Sequence, residues 1–374
     1  MPNWLIKILL AIYMRIPVAL RPALKNVFTK AVLRIEALAK RRQIVRGMRV
    51  EFLDFEIAHL LPCEILGPAP DEVLVEAECS LVSPGTERAV LCGLPGARRS
   101  FPYLPGYSTV GRVVKKGSAV KGVELGDRVT GRIHHASHET SVASKLFKVP
   151  PGVSTEEASF IELGIIVLQG IRKAAIKPGE RVAVVGQGLI GQLSNRLVRI
   201  LAPASLVAVA PSRNRERLAR LPGGVDEYLS LVENPACVNG IAADVVIEAV
   251  GTPQANAVAM NCAREGGRVI LLGSSRGLTR DLDIWGLAQT RSLTILGAHI
   301  SDMPGKDASP TRWTYEQEGY LFLELLETGR LKVADLVTWR ARPEECNAVY
   351  EILAEGGRNH VGITFNWKTE KVVA

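Results

Sequence analysis

The sequence predicts an α/β chain in which a compact, mostly antiparallel β-rich domain is joined to a doubly wound parallel sheet, with a helical extension at the N-terminus. Three observations predict it. Between positions 49 and 143, short β-rich segments (50–55, 72–79, 109–115 and 128–132) alternate with Gly/Pro turns. From position 165 onward, helical stretches alternate with apolar runs at 181–185, 206–210, 244–249, 268–272 and 293–297, the pattern of a parallel sheet wound by crossover helices. The first of these runs feeds directly into a glycine loop, Arg181-Val-Ala-Val-Val-Gly-Gln-Gly-Leu-Ile-Gly191.

The extension comes first in the chain. Residues 4–20 are strongly apolar, but Lys7, Arg15 and Arg21 interrupt them, and the longest uncharged run, 8–14, is too short to span a bilayer. An uninterrupted apolar core and a small-residue cleavage site, as a secretory signal needs, are missing. The arginine-rich, acid-poor character leaves an organellar transit peptide open, although the arm lacks serine. Pro22 suits the first position of a helix. Leu24, Val27, Phe28, Ala31, Val32, Ile35 and Leu38 then recur at helical spacing, with Lys25, Lys30, Arg34, Lys40, Arg41 and Arg42 as basic side chains. Residues 1–46 therefore read as an interfacial arm held on an anionic membrane surface; packing on the body of the protein, pairing with another subunit and targeting are the alternatives.

The β-rich segments follow, and a change of pattern marks where the second domain begins. Residues 155–160, with Glu156 and Glu157 in the first turn, open the helices. The expected division is 1–46 for the arm, 47–168 with 301–374 for the β-rich domain, and 169–300 for the parallel sheet. Helical stretches at 311–328 and 343–355 and strands at 336–340 and 360–365 should return the chain to the first domain.

The glycine loop is where a dinucleotide would sit. Gly186 permits a tight turn, Gly188 lets the backbone approach a pyrophosphate, and Gly191 lets the following helix, expected over 192–201, pack closely on the strand. With Leu189 and Ile190 between them, these residues present helix N-terminal amides to the phosphates. The tip of the next strand reads Ala210-Pro-Ser-Arg-Asn-Arg215, with no carboxylate before Glu216 to accept hydrogen bonds from the ribose of NAD. Ser212, Arg213 and Arg215 would instead receive a 2'-phosphate, so NADP(H) is favoured over NAD(H). The competing reading is that these arginines only solvate the next helix.

Composition sets limits on the class of protein. At 374 residues, 47% of them hydrophobic, the chain can bury cores for about two domains and is not disordered. Six scattered cysteines without any C-x-x-C pair suggest neither a disulfide framework nor a zinc lobe, and point to a reducing, cytoplasmic compartment. The formal charge of +8 is local. Residues 1–50 hold eleven Lys or Arg and one acid, Glu36, and the rest of the chain has 35 basic and 37 acidic residues. A nucleic-acid role is not expected, because the arm's apolar residues are mostly aliphatic and in helical register rather than stacking platforms.

Taken together, several motifs are similar to those of the medium-chain dehydrogenase/reductase superfamily. They are Ser83-Pro-Gly-Thr-Glu87, Leu104-Pro-Gly-Tyr-Ser-Thr-Val-Gly111, Lys177-Pro-Gly-Glu-Arg-Val-Ala-Val-Val-Gly186, Asp244-Val-Val-Ile-Glu-Ala-Val-Gly251 and Gly266-Gly-Arg-Val-Ile-Leu-Leu-Gly273. The resemblance covers about residues 48–367 and looks most like the branch that includes bacteriochlorophyllide dehydrogenase. It implies a GroES-like substrate domain, a Rossmann domain with Val250, Gly251 and Gly273 beside the cofactor, and a cleft between them. Such folds often dimerise through the last Rossmann strands, so a homodimer is expected.

The chain departs from the zinc-dependent members. Pro84 stands where they have a cysteine before the Gly-Thr pair, and Tyr107-Ser108 where they have His-Glu after the glycine. Near the third ligand position is Glu162, and one carboxylate does not build the N/S-rich site that zinc favours. The imidazole cluster His134-His135-x-x-His138 lies in a turn-rich stretch and is read as structural rather than metal-binding. No zinc is expected. Hydrogen-bond donors and acids must then stabilise charge on the substrate oxygen. Thr86 matches the family's proton-relay hydroxyl, Tyr107 should point its phenol into the cleft, and Glu162 would serve as acid or base if buried. The duller readings are a Thr86 helix cap, a Tyr107 that only fills space, and a Glu162 paired with an arginine.

The expected function is an NADP(H)-dependent, zinc-independent oxidoreductase acting on a lipophilic or bulky small-molecule carbonyl, alcohol or enone, peripheral to a membrane. The alternatives are an NAD-dependent alcohol dehydrogenase of the pigment-pathway type and a non-catalytic NADPH-binding scaffold.

Overall fold

The computed structural model describes residues 21–39, 42–98, 100–280, 282–305, 309, 312–357 and 359–368. The apolar stretch 4–20 of the expected membrane arm, with Lys40 and Arg41, lies outside the described residues. In chain order, helix α1 (Arg21–Ala39) leads into the hairpin β1 (Ile44–Asp54) and β2 (Ile57–Leu66), then β3 (Glu72–Leu81) and helix α2 (Pro84–Leu91). Strands β4 (Thr109–Lys116), β5 (Arg128–Gly131), β6 (His138–Val142) and β7 (Phe147–Lys148) precede the long helix α3 (Ile161–Ala174). Next come β8 (Arg181–Val185), helix α4 (Leu189–Arg199), β9 (Ser205–Ala210), β10 (Glu227–Ser230), β11 (Ala243–Glu248), helix α5 (Pro253–Cys262), β12 (Ala263–Leu271) and β13 (Thr294–Gly297). Helix α6 (Tyr315–Glu327), β14 (Val337–Ala341), helix α7 (Cys346–Ala354) and β15 (Gly362–Asn366) end the described fold.

Besides the two-stranded β1-β2 hairpin, two larger sheets organise these elements. The mixed β-rich sheet runs β14-β15-β3-β4-β5-β7 with β6 paired to β3, so the last two strands return to the first domain as expected. The parallel sheet runs β10-β9-β8-β11-β12-β13. Its strand order reverses between β8 and β11, which is the crevice where ligands of such sheets bind. Continuous apolar runs put both faces of β8, β9 and β11 inside, with Val182, Val184, Leu206, Val209, Val246 and Ile247 all buried. Helix α3 joins the two halves. A single apolar cluster extends from Leu81, Val110 and Phe147 through Phe160, Ile161 and Ile165 to Val182 and Ile270.

Several boundaries differ from the sequence reading for identifiable reasons. The strand pattern at 50–55 is only the end of β1, because Gly47 and the charged Arg46 and Arg49 mask its alternation. The expected arm boundary at 46 falls inside that strand, and α3 crosses the expected division at 168. Helix α4 starts at Leu189 rather than Gln192, since Gly188 already takes the extended N-cap conformation. Helix α1 rests on the hairpin: Ala37 is buried, and Arg34 forms a two-pronged pair with Glu64, Nη2 to Oε1 at 2.6 Å and Nε to Oε2 at 3.1 Å. Arg42 likewise reaches Glu72 Oε2 at 2.7 Å, while Val27 and Leu38 stay exposed. No described helix is long and apolar enough to cross a membrane.

Candidate functional site

The three loop glycines occupy three different physical situations. Gly186 has φ +95°, and a Cβ there would lie 2.5 Å from Val250 Cγ2. At Gly191 a Cβ would fall 1.8 Å from the Gly186 carbonyl oxygen, so helix α4 packs on its strand at a distance only glycine allows. A Cβ on Gly188, by contrast, would meet nothing nearer than Arg215 Nη1 at 3.6 Å. The loop is therefore open to a ligand at the position expected to approach a pyrophosphate. Leu189 and Ile190 form the first turn of α4 just beyond it.

At the tip of β9 the expected phosphate-binding residues diverge. Ser212 is exposed, and its carbonyl accepts a hydrogen bond from the Tyr228 hydroxyl at 2.8 Å. Arg213 is held between Glu216 (2.7 Å) and Glu233 (2.7 Å). Arg215 turns back under the glycine loop, donating to the Gln187 carbonyl at 3.3 Å and the His360 carbonyl at 3.1 Å. Burial lowers its pKa. Arg215 thus ties the loop to the C-terminal segment. Neither arginine projects unpaired.

On the far side of the switch point, Glu248 at the end of β11 accepts from the backbone amides of Val250 (2.7 Å) and Gly251 (2.8 Å), and a Cβ on Gly273 would sit 2.4 Å from the Gly251 nitrogen. Val250, Gly251 and Gly273 are brought together by this carboxylate, whose pKa burial raises. Beside them, at the carboxyl ends of β12 and β13, opens a cavity of about 610 Å³ lined by Pro95, Lys173, Leu272, Gly273, Arg276 and His299 among others. Pro95 brings the β-rich domain to its rim.

The expected catalytic residues also meet. Ser83 is the N-cap of α2. Its Oγ accepts a hydrogen bond from the Tyr107 hydroxyl at 2.6 Å, and the Thr86 hydroxyl adjoins the same phenol. Thr86 lies inside the first turn of α2 and is not its cap; Ser83 holds the N-cap position without a side-chain capping bond. Burial pushes the Tyr107 phenol up to about 12. Glu162, in the first turn of α3, is fully buried; it accepts from Arg132 Nε at 2.8 Å and from the Tyr315 hydroxyl. Burial outweighs the adjacent guanidinium and holds this carboxyl above its ordinary range. Arg132 bridges the two groups, its guanidinium lying 5.9 Å from the centre of the Tyr107 ring.

Behind this cluster stands a buried polar network. Glu87 accepts from the Ser83 amide (2.7 Å) and the Tyr350 hydroxyl (2.6 Å), with His135 Nε2 at 3.3 Å. His135 Nδ1 lies 2.7 Å from Ser80 Oγ, which also receives Trp367 Nε1 at 2.9 Å. The imidazoles of the His134-His135-x-x-His138 cluster are dispersed, since His134 pairs with Glu139 at 2.9 Å and His138 faces Ser137 at 3.1 Å. Among the described residues, no three His, Cys, Asp or Glu side chains gather as a metal site.

Ser83, Arg132, Tyr315, Glu87 and Tyr350 were not singled out from the sequence. Glu87 stood in a quoted motif as the last residue of Ser83-Pro-Gly-Thr-Glu87, which was the available signal. Tyr315 is 153 positions from Glu162, and no local pattern links them.

No family model matches the chain. Known relatives do. The 2-methylene-furan-3-one reductase of Solanum lycopersicum is 29% identical over 216 residues, 54% of this chain and 55% of that protein. The sorbitol dehydrogenase of Arabidopsis thaliana is 26% identical over 308 residues, 71% of this chain and 80% of that protein. These relatives and the chain's structural neighbours are members of the medium-chain dehydrogenase/reductase superfamily. Solved structures share the dehydrogenase/reductase fold: a protein from Sinorhizobium meliloti 1021 described as a zinc-binding dehydrogenase and bound to NADP superposes with TM-score 0.71 at 20% identity, covering 86% of this chain and 99% of that one. The Escherichia coli L-idonate 5-dehydrogenase gives TM-score 0.74 at 14% identity over 87% of this chain and 99% of that one. The match to the tomato reductase spans about half of that enzyme's length, 55%, while the solved structures are matched almost end to end. Like these neighbours, the chain pairs a GroES-like β-rich domain with a Rossmann-type parallel sheet, and its candidate site lies where α3 connects them.

Proposed function

We propose that this dehydrogenase/reductase uses NADP(H) to exchange a hydride with a lipophilic or bulky carbonyl, alcohol or enone, without zinc. The observation that carries the reading is the open face of Gly188 at the switch point of the parallel sheet, between two glycines that tolerate no side chain. A nicotinamide nucleotide held there supplies the hydride; the chain supplies binding, orientation and a proton. Gly188 and the first amides of α4 hold the diphosphate. Val250, Gly251 and Gly273, fixed by Glu248, line the path toward the cavity at the ends of β12 and β13. Tyr107 gives its proton to the substrate oxygen and is reprotonated from solvent water through the Ser83 and Thr86 hydroxyls, which relay the proton without net change. Glu162, paired with Arg132 and accepting from the Tyr315 hydroxyl, holds Arg132 against the Tyr107 ring. The name of the tomato relative is that of an enone reductase, which supports the enone among the substrate types.

The donor set does not suit zinc. Where the zinc-dependent relatives supply thiolate and imidazole, this chain offers a phenol and hydroxyls already bonded to one another and a carboxylate already paired with Arg132. No step is therefore routed through a metal. One observation favours the second reading, an NAD-dependent dehydrogenase of the pigment-pathway type: Arg213 is engaged by two carboxylates, with which a 2'-phosphate must compete. Titration calorimetry with NADPH and NADH, with metal analysis of the same sample, tests the proposal. Tighter binding of NADPH and a zinc content well below one per chain are expected. No heat with either nucleotide overturns the cofactor reading, tighter NADH binding selects the second, and stoichiometric zinc overturns the metal-free mechanism.

We infer further that the N-terminal arm holds the enzyme on an anionic membrane surface. The exposed Val27 and Leu38 support this, whereas the pairing of Arg34 with Glu64 removes one of the basic residues expected to face lipid. Flotation with phosphatidylserine vesicles should carry the full chain and not a variant lacking residues 1–43, a cut that leaves β1 intact. Equal flotation of both would overturn the assignment.

A further inference from the structure

Arg276 is a charged side chain without a partner among the described residues, in the wall of the cavity at the carboxyl ends of β12 and β13. It follows β12, and its backbone amide is fixed by the Gly251 carbonyl at 3.2 Å. Its guanidinium makes no hydrogen bond or ion pair with any described residue, although it is half-buried in the wall of the 610 Å³ cavity. The neighbouring lining groups are otherwise engaged. Lys173 Nζ is bound to Asp302 Oδ2 at 2.5 Å and to the Gly297 carbonyl at 3.0 Å, and His299 Nδ1 lies 2.7 Å from Ser301 Oγ. Asp302, the one acid of this lining, also receives Arg312 at 3.5 Å. The cavity thus carries an excess positive charge concentrated on Arg276.

Partial burial of a guanidinium without a counter-ion is unfavourable, and its five fixed donors match an oxyanion in two-pronged fashion. Burial lowers the Arg276 pKa with no neighbouring charge to offset it, as expected for a cation awaiting an anion. Pro95, Leu271 and Leu272 give the same cavity an apolar wall. We propose that Arg276 is a specificity-determining residue that binds a carboxylate or phosphate carried by the substrate, so that the substrate is an apolar carbonyl or alcohol bearing an oxyanion. This rests on the cavity being the substrate site of the proposed oxidoreductase, and it narrows the substrate class.

The test is ligand-observed NMR binding of 4-carboxybenzaldehyde, benzyl phosphate and 4-methylbenzaldehyde to the full chain, alone and with NADP⁺, which leaves an aldehyde unreduced. At least one anionic probe should bind about tenfold or more tightly than the methyl compound, the increment of a charge-assisted hydrogen bond. Arg276→Met should abolish that difference, and Arg276→Lys should keep part of it; unchanged thermal melting shows that both variants fold. Equal affinity of all three probes, failure of both anionic probes to bind, or a preference that survives in Arg276→Met would overturn the proposal. Because the preference is read on the nucleotide-free chain as well, its loss is distinct from a failure of NADP(H) binding, which would instead overturn the cofactor assignment.

Discussion

The Tyr107 hydroxyl donates to Ser83 Oγ at 2.6 Å, joining the extended segment just before β4 to the N-cap of α2. A phenol so placed loses little packing when its oxygen is removed. Tyr107→Phe should therefore melt within about 1.5 kcal/mol of the unsubstituted protein, yet lose roughly 10²-fold or more in turnover for carbonyl reduction. Steady-state kinetics on any accepted substrate checks this, and full turnover would remove the phenol from the reaction.

The pH dependence follows from the same burial. With its pKa pushed up to about 12, Tyr107 stays protonated throughout the range in which the protein can be assayed. The rate of reduction should show no loss attributable to this group below about pH 10, the ordinary phenol value. A basic limb that begins well below that pH and disappears in Tyr107→Phe would contradict the assignment.

The loop glycines make a contrast that separates binding from folding. Gly191→Ala places a methyl 1.8 Å from the Gly186 carbonyl oxygen, so α4 must move, at a cost of roughly 1–3 kcal/mol or more in thermal or denaturant unfolding. Gly188→Ala meets no atom closer than 3.6 Å and has φ −71°, so it should fold normally. It should nevertheless weaken NADPH binding in calorimetry by tenfold or more, about 1.4 kcal/mol. Undiminished affinity would show that the diphosphate lies elsewhere.

Arg213 is poised between internal and external anions. Glu233→Gln removes one of its two carboxylates and should raise affinity for NADPH several-fold while leaving NADH unchanged, with the gain shrinking as salt is added. An identical response to both nucleotides would detach Arg213 from the 2'-phosphate.

Glu87 is a positioning residue whose carboxylate takes the Ser83 amide and the Tyr350 hydroxyl in the interior. Glu87→Ala strands these donors and should cost about 3 kcal/mol or more. Tyr350→Phe removes a single hydrogen bond and should cost about 1–2 kcal/mol. Chemical denaturation of the pair measures both, and an equal loss in the two variants would mean that the network acts only through Tyr350.

How far the site could be read in advance depended on how local its signals are. The loop from Gly186 to Gly191 was legible because a strand, its turn and its helix are contiguous, and glycine at fixed spacing reports backbone geometry directly. Tyr107 and Glu162 were legible through motif positions. Arg132 and Tyr315 were not, because Arg132 reads as one more exposed strand-end arginine and Tyr315 reaches Glu162 from a helix far along the chain. Arg213 and Arg215 look alike in sequence, but one faces Glu233 and the other the His360 carbonyl.

The sequence by itself determined the alternation of apolar strands and helices, the glycine turn at the head of α4 and the basic character of the N-terminal arm, since each follows from the period or composition of neighbouring residues. Only the tertiary structure decided that Ser83 joins Tyr107, that Glu162 is held by Arg132 and Tyr315, and that Arg276 stands without a partner among the described residues. Such pairings depend on which side chains the packed core brings within hydrogen-bond reach, and no local pattern encodes that distance.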